Sequence, residues 1–224
     1  MTDASLTQPC CSLAGSAALL SAMEGRFIVV LHGERDCLNS FMAFNYPGAE
    51  RFYCTNLSQS QTALGRTGRV LDRCLEAATA KDKPQAVIVL GTCLAEMTND
   101  DFPAVVRRFS RRRGIPALSL RTGGLASGTQ GELLDLLYSG LSTLGPRRRK
   151  RTGRGVVIVG LPAAGQAELL EILGRLGLDL VGSVPHSGLD AWRRLSEADA
   201  AFLVDRGLYP RLEASLHDRG LSVD

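Results

Sequence analysis

Two apolar runs, Phe27-Ile-Val-Val-Leu31 and Ala86-Val-Ile-Val-Leu90, constrain the fold of this chain more than any other feature. Neither shows polar alternation, and each stops at a glycine: His32-Gly33 after the first, Gly91 after the second. A strand that is apolar at every position has no solvent face, so it belongs in a parallel sheet covered on both sides. Ile115–Leu120 reads as a third strand. Between the runs, Leu64, Val70, Leu71, Leu75 and Ala78 fall at helical spacing within Thr62–Lys81. Further helices are expected from about Asp100 to Arg113, ended by Gly114, and from Glu132 to Leu144. The pattern breaks at Pro146-Arg147-Arg148-Arg149-Lys150-Arg151-Thr152-Gly153, whose charge, Pro and Gly mark an exposed linker. It then restarts, with strands at Val156–Gly160, Leu178–Val184 and Ala200–Val204. Helices at Gln166–Leu176, Leu189–Glu197 and Tyr209–Arg219 alternate with them. Such alternation implies right-handed βαβ units. The expected fold is α/β, with two Rossmann-like, doubly wound parallel-sheet domains. They span 1–146 and 155–224, joined by a basic linker at 147–154.

Composition narrows the function classes. A net charge of +3 does not call for a nucleic-acid partner, and a solvated linker accounts for the run Arg147–Arg151. No apolar run approaches the roughly 20 residues of a membrane helix. The opening MTDASLTQPCC has no basic region ahead of an apolar core, so a cytoplasmic protein is expected. Gly160-Leu-Pro-Ala-Ala-Gly165-Gln166-Ala167 has the glycine spacing of a phosphate loop. It carries Gln and Ala where Lys and Ser or Thr should stand. The dinucleotide fingerprint is also absent, so the chain is expected to bind no nucleotide of its own.

The six cysteines are Cys10, Cys11, Cys37, Cys54, Cys74 and Cys93, with no CxxC pair among them. In a reducing compartment they are ligands, catalytic groups or core residues rather than disulfides. Cys37 and Cys93 each follow a buried strand, at the carboxyl end where α/β folds hold their ligands. Cys11 lies in the segment before the first strand. Thiolates gathered at a strand-end crevice suit an iron–sulfur cluster. Spacing alone favours three core cysteines, since free Cys is commonly buried.

Four ordered segments resemble the nitrogenase component 1-type oxidoreductases, in particular their β-type subunits. Cys11-Ser-Leu-Ala-Gly15 is similar to the family's first ligand segment, and His32-Gly33-Glu34-Arg35-Asp36-Cys37 to its His-Gly-x-x-Gly-Cys. Thr55–Gly65 resembles the polar segment that opens the next helix. Gly91-Thr-Cys93-Leu-Ala-Glu96-Met-Thr-Asn-Asp100-Asp101 resembles Thr-Cys-x-Ala-Glu-x-x-x-Asp-Asp, the most specific of the four. Thr122–Gly131 looks like the Gly/Ser loop in which Ser127 approaches the cluster, and 156–224 like the second domain. Two features depart from the pattern. Asp36 replaces a glycine, and the family's usual third domain is apparently absent.

The resemblance implies that Cys11, Cys37 and Cys93 hold an iron–sulfur cluster, of the 4Fe–4S type or larger and P-cluster-like. Ser127, an exogenous group or a partner residue would complete its ligands. The cluster is shared with a homologous component-1 subunit, in a hetero- or homo-oligomer. It relays electrons from an ATP-dependent iron–sulfur reductase protein to a substrate. A non-catalytic scaffold for metallocofactor assembly and a cluster-free two-domain ligand-binding module are the alternatives, and catalytic residues stay unassigned. Neither nucleic acid nor membrane is an expected partner. Cys10 could stand in for Cys11; Cys54 reads as a core residue with an extra ligand role as the alternative, and Cys74 as core. His186 and His217 are lone histidines, and Asp100 and Asp101 read as the acidic start of the next helix.

Overall fold

The computed structural model describes residues 11–123, 130–146, 153–160, 166–184 and 187–224. The described chain divides into two compact units. The first holds the residues up to Ala22 together with Arg26–Leu133; the second holds Met23–Gly25 and Leu134–Asp224.

In the first unit a helix, α1 (Ser12–Ala22), precedes strand β1 (Phe27–His32). Helix α2 (Arg35–Met42) leads to the short strand β2 (Phe52–Cys54). Helices α3 (Gln59–Ala63) and α4 (Thr67–Asp82) lead to β3 (Ala86–Gly91). Then come α5 (Cys93–Met97), α6 (Phe102–Arg113) and β4 (Ala117–Arg121). The four strands are ordered β2-β1-β3-β4, and every pairing is parallel. β1 and β3 are buried at all positions, as their unbroken apolar runs require. Ile28, Val30, Val87 and Val89 pack against Leu71 and Leu75 of α4 and Val105, Val106 and Phe109 of α6.

The helix expected over Thr62–Lys81 is two helices. Gly65, at φ +61°, breaks the chain between them, and Leu64 of the apparent apolar stripe is 61% exposed. A capping box at Ser58 and Gln61 starts α3.

Helix α7 (Gln130–Ser142) ends in the second unit. Strand β5 (Gly155–Val159), α8 (Gln166–Arg175), β6 (Asp179–Val184) and α9 (Gly188–Arg193) follow. Strand β7 (Ala200–Leu203), α10 (Pro210–Asp218) and β8 (Ser222–Val223) complete it. Its sheet is ordered β6-β5-β7-β8, again all parallel, with an irregularity between Val156 and Val157. Tyr138 of α7 packs on Trp192 of α9 at 5.6 Å and on Tyr209 at 5.7 Å between ring centres. Asp135 of α7 is buried and accepts the Arg211 and Leu212 N–H groups at 3.0 and 2.8 Å, capping α10 from outside the helix. Two parallel, helix-flanked α/β sheets are thus present, as the strand alternation requires. Among the described residues, no helix is long and apolar enough to cross a membrane.

Candidate functional site

Because the strands of the first unit are parallel, their carboxyl ends share one edge, and three neighbouring strands each deliver a cysteine there. Cys54 is the last residue of β2. Cys37 lies in the first turn of α2, after β1, and Cys93 opens α5, after β3. Cys11 directly precedes α1 and its carbonyl accepts the Gly15 N–H at 3.2 Å. Cys93 is exposed, and Cys11, Cys37 and Cys54 are half-buried.

These sulfurs lie within electrostatic reach of Cys37. Burial above all, and then the thiols of Cys11, Cys93 and Cys54 and the Glu34 carboxylate, together push the Cys37 thiol up to about 11. A Coulombic push falls off with separation, so all three thiols are near enough to this one to be felt electrostatically. Several like charges in one pocket are unfavourable until a multivalent cation inverts the balance. Soft thiolates, half shielded from water and gathered at a strand-end edge, are donors that iron–sulfur groups take. They are not packed tightly enough to grip one ion. Among the described residues, no group of three or more His, Cys, Asp or Glu could hold a single metal ion.

Cys54, expected to face the core, is half-buried: its thiol donates to the Glu34 carbonyl at 3.4 Å and accepts the Asn56 N–H at 3.3 Å. Burial raises its pKa, against the lowering effect of that N–H and of Arg35. Cys74 on α4 lies behind it, with its sulfur 3.9 Å from the Cys54 carbonyl oxygen, and burial pushes its thiol up to about 11. Cys10 and Ser127 lie outside the described residues, as does His186. His217 lies on α10 in the second unit, near Glu213 at 3.7 Å.

A set of threonines, not foreseen from the sequence, fastens this edge. Each of β2, β3 and β4 is followed at once by a buried threonine: Thr55, Thr92 and Thr122. The Thr92 N–H and hydroxyl both donate to the His32 carbonyl at 3.1 Å. Those of Thr122 donate likewise to the Gly91 carbonyl at 3.1 Å. The Thr55 hydroxyl accepts the Gly33 N–H at 2.9 Å. Only glycine fits where the loops cross, since a Cβ on Gly33 would lie 1.9 Å from Thr92 Oγ1. Glu96, one turn after Cys93, accepts the Gly123 N–H at 2.7 Å, and a Cβ on Gly123 would lie 2.9 Å from the Cys93 Cα. A threonine directly after β2, β3 and β4 was the available signal.

Asp100 does not serve the helix dipole. Its carboxylate meets His32 Nε2 at 2.9 Å, and His32 is fully buried. Burial raises the Asp100 pKa, but hydrogen bonds from His32 and Thr67 outweigh it and hold the carboxyl below the usual range. Asp101 is the cap of α6, accepting the Ala104 N–H at 3.2 Å.

Known structures share this architecture. A structure described as nitrogenase Cp1 at pH 6.5 superposes with a TM-score of 0.70 at 18% identity, covering 94% of this chain and 44% of that one. A second, nitrogenase Cp1 at pH 5, gives a TM-score of 0.72 at 17% identity, covering 97% of this chain and 47% of that one. At these identities the likeness establishes the fold, and the chain spans less than half the length of those it matches. No curated protein matches the sequence. The family model for nitrogenase component 1 type oxidoreductases matches residues 11–222, and this chain belongs to that family.

Proposed function

We propose that this chain is a subunit of a nitrogenase-like reductase complex and binds an iron–sulfur cluster through Cys11, Cys37 and Cys93. The observation that carries the reading is that Cys54, Cys37 and Cys93 stand at or just after the ends of the adjacent parallel strands β2, β1 and β3, with Cys11 in electrostatic reach of Cys37. When bound, such a cluster takes up and passes on single electrons, here from an ATP-dependent iron–sulfur reductase toward a substrate.

The protein's own residues do the positioning. The paired bonds of Thr92 and Thr122 lock the strand ends from which the cysteine loops leave. Glu96 ties Gly123, two residues after β4, onto the helix that Cys93 opens. Ser127, Cys54 or a partner's residue supplies the remaining donor. Met97, one turn from Cys93 and 73% exposed, together with exposed Met42, Phe44 and Leu64, leaves apolar surface that a homologous subunit would cover.

The test is iron and sulfide analysis of protein made with its reductase and subunit partners and isolated without oxygen. Cys11→Ala, Cys37→Ala and Cys93→Ala should each lower iron sharply, while Cys74→Ala should keep it. Comparing Cys54→Ala with Ser127→Ala identifies the further donor, and Cys10→Ala checks the Cys10–Cys11 assignment. Wild-type iron in all three ligand variants, or none in the wild type, would leave a cluster-free two-domain binding module.

A further inference from the structure

Away from the cysteines, α4 and α6 pack so closely that a Cβ on Gly68 would lie 3.2 Å from Val105 Cγ2. Along their outer surface runs a groove of ≈ 770 Å³ lined by Arg66, Arg69, Arg73, Arg108 and Arg112, with Asp72 its one acidic residue. Asp72 is already engaged, pairing with Arg112 at 2.8 Å, and Arg112 also holds Glu76 at 2.7 Å. The other four arginines make no ion pair among the described residues. Arg66, Arg69 and Arg73 follow i, i+3, i+7 spacing, so they form one row of roughly 10 Å along α4. Arg108 and Arg112, four residues apart on α6, form the opposite row.

Gathering so many cations without counter-charges is a repulsive arrangement, and an anionic ligand relieves it. Arginine narrows the ligand further, because its planar fork takes oxyanions in pairs of hydrogen bonds. No aromatic side chain lines the groove, so it lacks the stacking platform that nucleotides and single-stranded nucleic acids use. Two rows of forks along an open trough match carboxylates repeated along a chain.

We propose that this groove docks an acidic protein segment, its Asp and Glu side chains held by Arg66, Arg69, Arg73 and Arg108. The inference stands on the groove alone and does not depend on a bound cluster. It does bear on one: α4 carries Arg73 on the groove and, on the adjoining residue, Cys74 packed against Cys54. Neighbouring residues of a helix project about 100° apart, so an acidic partner in the groove lies on the face of α4 adjoining the one that carries Cys74.

The experiment uses the full chain and a fluorescent peptide of about eight glutamates, with an oligodeoxynucleotide of equal charge as the competing probe. Saturable peptide binding is expected, weakening steeply as salt rises from about 50 to 200 mM. Reversing two charges together, Arg69→Glu with Arg73→Glu, should weaken the peptide about tenfold or more. The pair Arg69→Lys with Arg73→Lys keeps the charge, loses the forks, and should fall in between. Arg175→Glu, an exposed change on α8 of the second unit, should leave affinity unchanged. Tighter binding of the oligonucleotide than of the peptide would make the groove a nucleic-acid site and overturn the proposal. So would a charge-reversed pair that binds the peptide as well as the wild type does.

Discussion

The sheet of the first unit runs β2-β1-β3-β4 and that of the second β6-β5-β7-β8, so in both the unit's first strand lies inside, between its second and third. Their buried polar groups are placed differently. In the first unit four of them gather at the carboxyl edge, Thr55, Thr92, Thr122 and His32, while Ser16, Ser21, Thr67 and Thr79 lie on helices. Among the described residues of the second, Asp135 caps α10, Ser142 meets Ser215 at 2.6 Å and Ser183 is buried on β6. All six cysteines precede Leu94, so the second unit has none. One topology therefore carries the cysteine-bearing strand ends in one copy and none in the other, because such groups belong to the loops grafted on a fold.

The difference can be broken most directly at two equivalent glycines. Gly33 follows β1 and Gly160 follows β5. A Cβ on Gly33 meets Thr92 Oγ1 at 1.9 Å, whereas on Gly160 the nearest atom is 3.6 Å away and only its φ of +87° opposes a side chain. Gly33→Ala should cost about 3 kcal/mol by forcing crossed loops apart. Gly160→Ala should cost about 1 kcal/mol, for a left-handed backbone alone. The two units report separately: the cysteines lie in the first, and the single tryptophan, Trp192, lies buried in the second. Thiol reactivity and Trp192 fluorescence during denaturation measure the two costs, and equal costs would mean the strand ends are not differently packed.

Asp135→Ala sharpens the contrast from the other side. It leaves the N–H groups of Arg211 and Leu212 without their acceptor inside the second unit, which should cost about 2 kcal/mol. The loss should show in Trp192 fluorescence and not in thiol reactivity. A shift confined to the thiols would contradict the division into units.

The Asp100–His32 pair gives the first unit an acid-sensitive tie. Its carboxyl is held below the usual carboxylate range, so the stabilisation is present above about pH 4 and is lost as pH falls further. Asp100→Asn should cost about 1.5 kcal/mol at neutral pH, the worth of a charge-assisted bond to a buried ring. Near pH 3 the variant and the wild type should converge. A dipyridyl disulfide, which labels thiols in acid, follows the unfolding, and a pH-independent gap would sink the assignment.

What the chain revealed by itself was whatever repeats locally. The strands β1, β3 and β5 were legible because each holds an unbroken apolar run and is buried at every position. Helix α1 was not, since Ser12–Ala22 is small and apolar almost throughout and offers no polar stripe to set a period. Cys54 was misjudged because its neighbour is chosen by the pairing of β2 with β1, which places Leu31 opposite Cys54 and is not written in either segment. Asp100 was misjudged likewise: its partner His32 lies 68 residues away, while a helix start lay next door. Pairing across strands is information the fold supplies.

The smallest expected effect isolates the fastening from the donors. Thr92 is almost wholly buried, and the His32 carbonyl accepts both its hydroxyl and its N–H at 3.1 Å. Thr92→Val keeps the shape and the N–H, so the carbonyl retains one of its two bonds. The cost should be about 1 kcal/mol, that of one neutral hydrogen bond. Thr92→Ser keeps the hydroxyl and gives up a methyl that lies against Gly33, and should cost less than the valine. Iron content should be unchanged in both, because neither alters a thiol or the start of α5. A serine variant less stable than the valine one would show that the edge is held by packing of the methyl rather than by the hydroxyl.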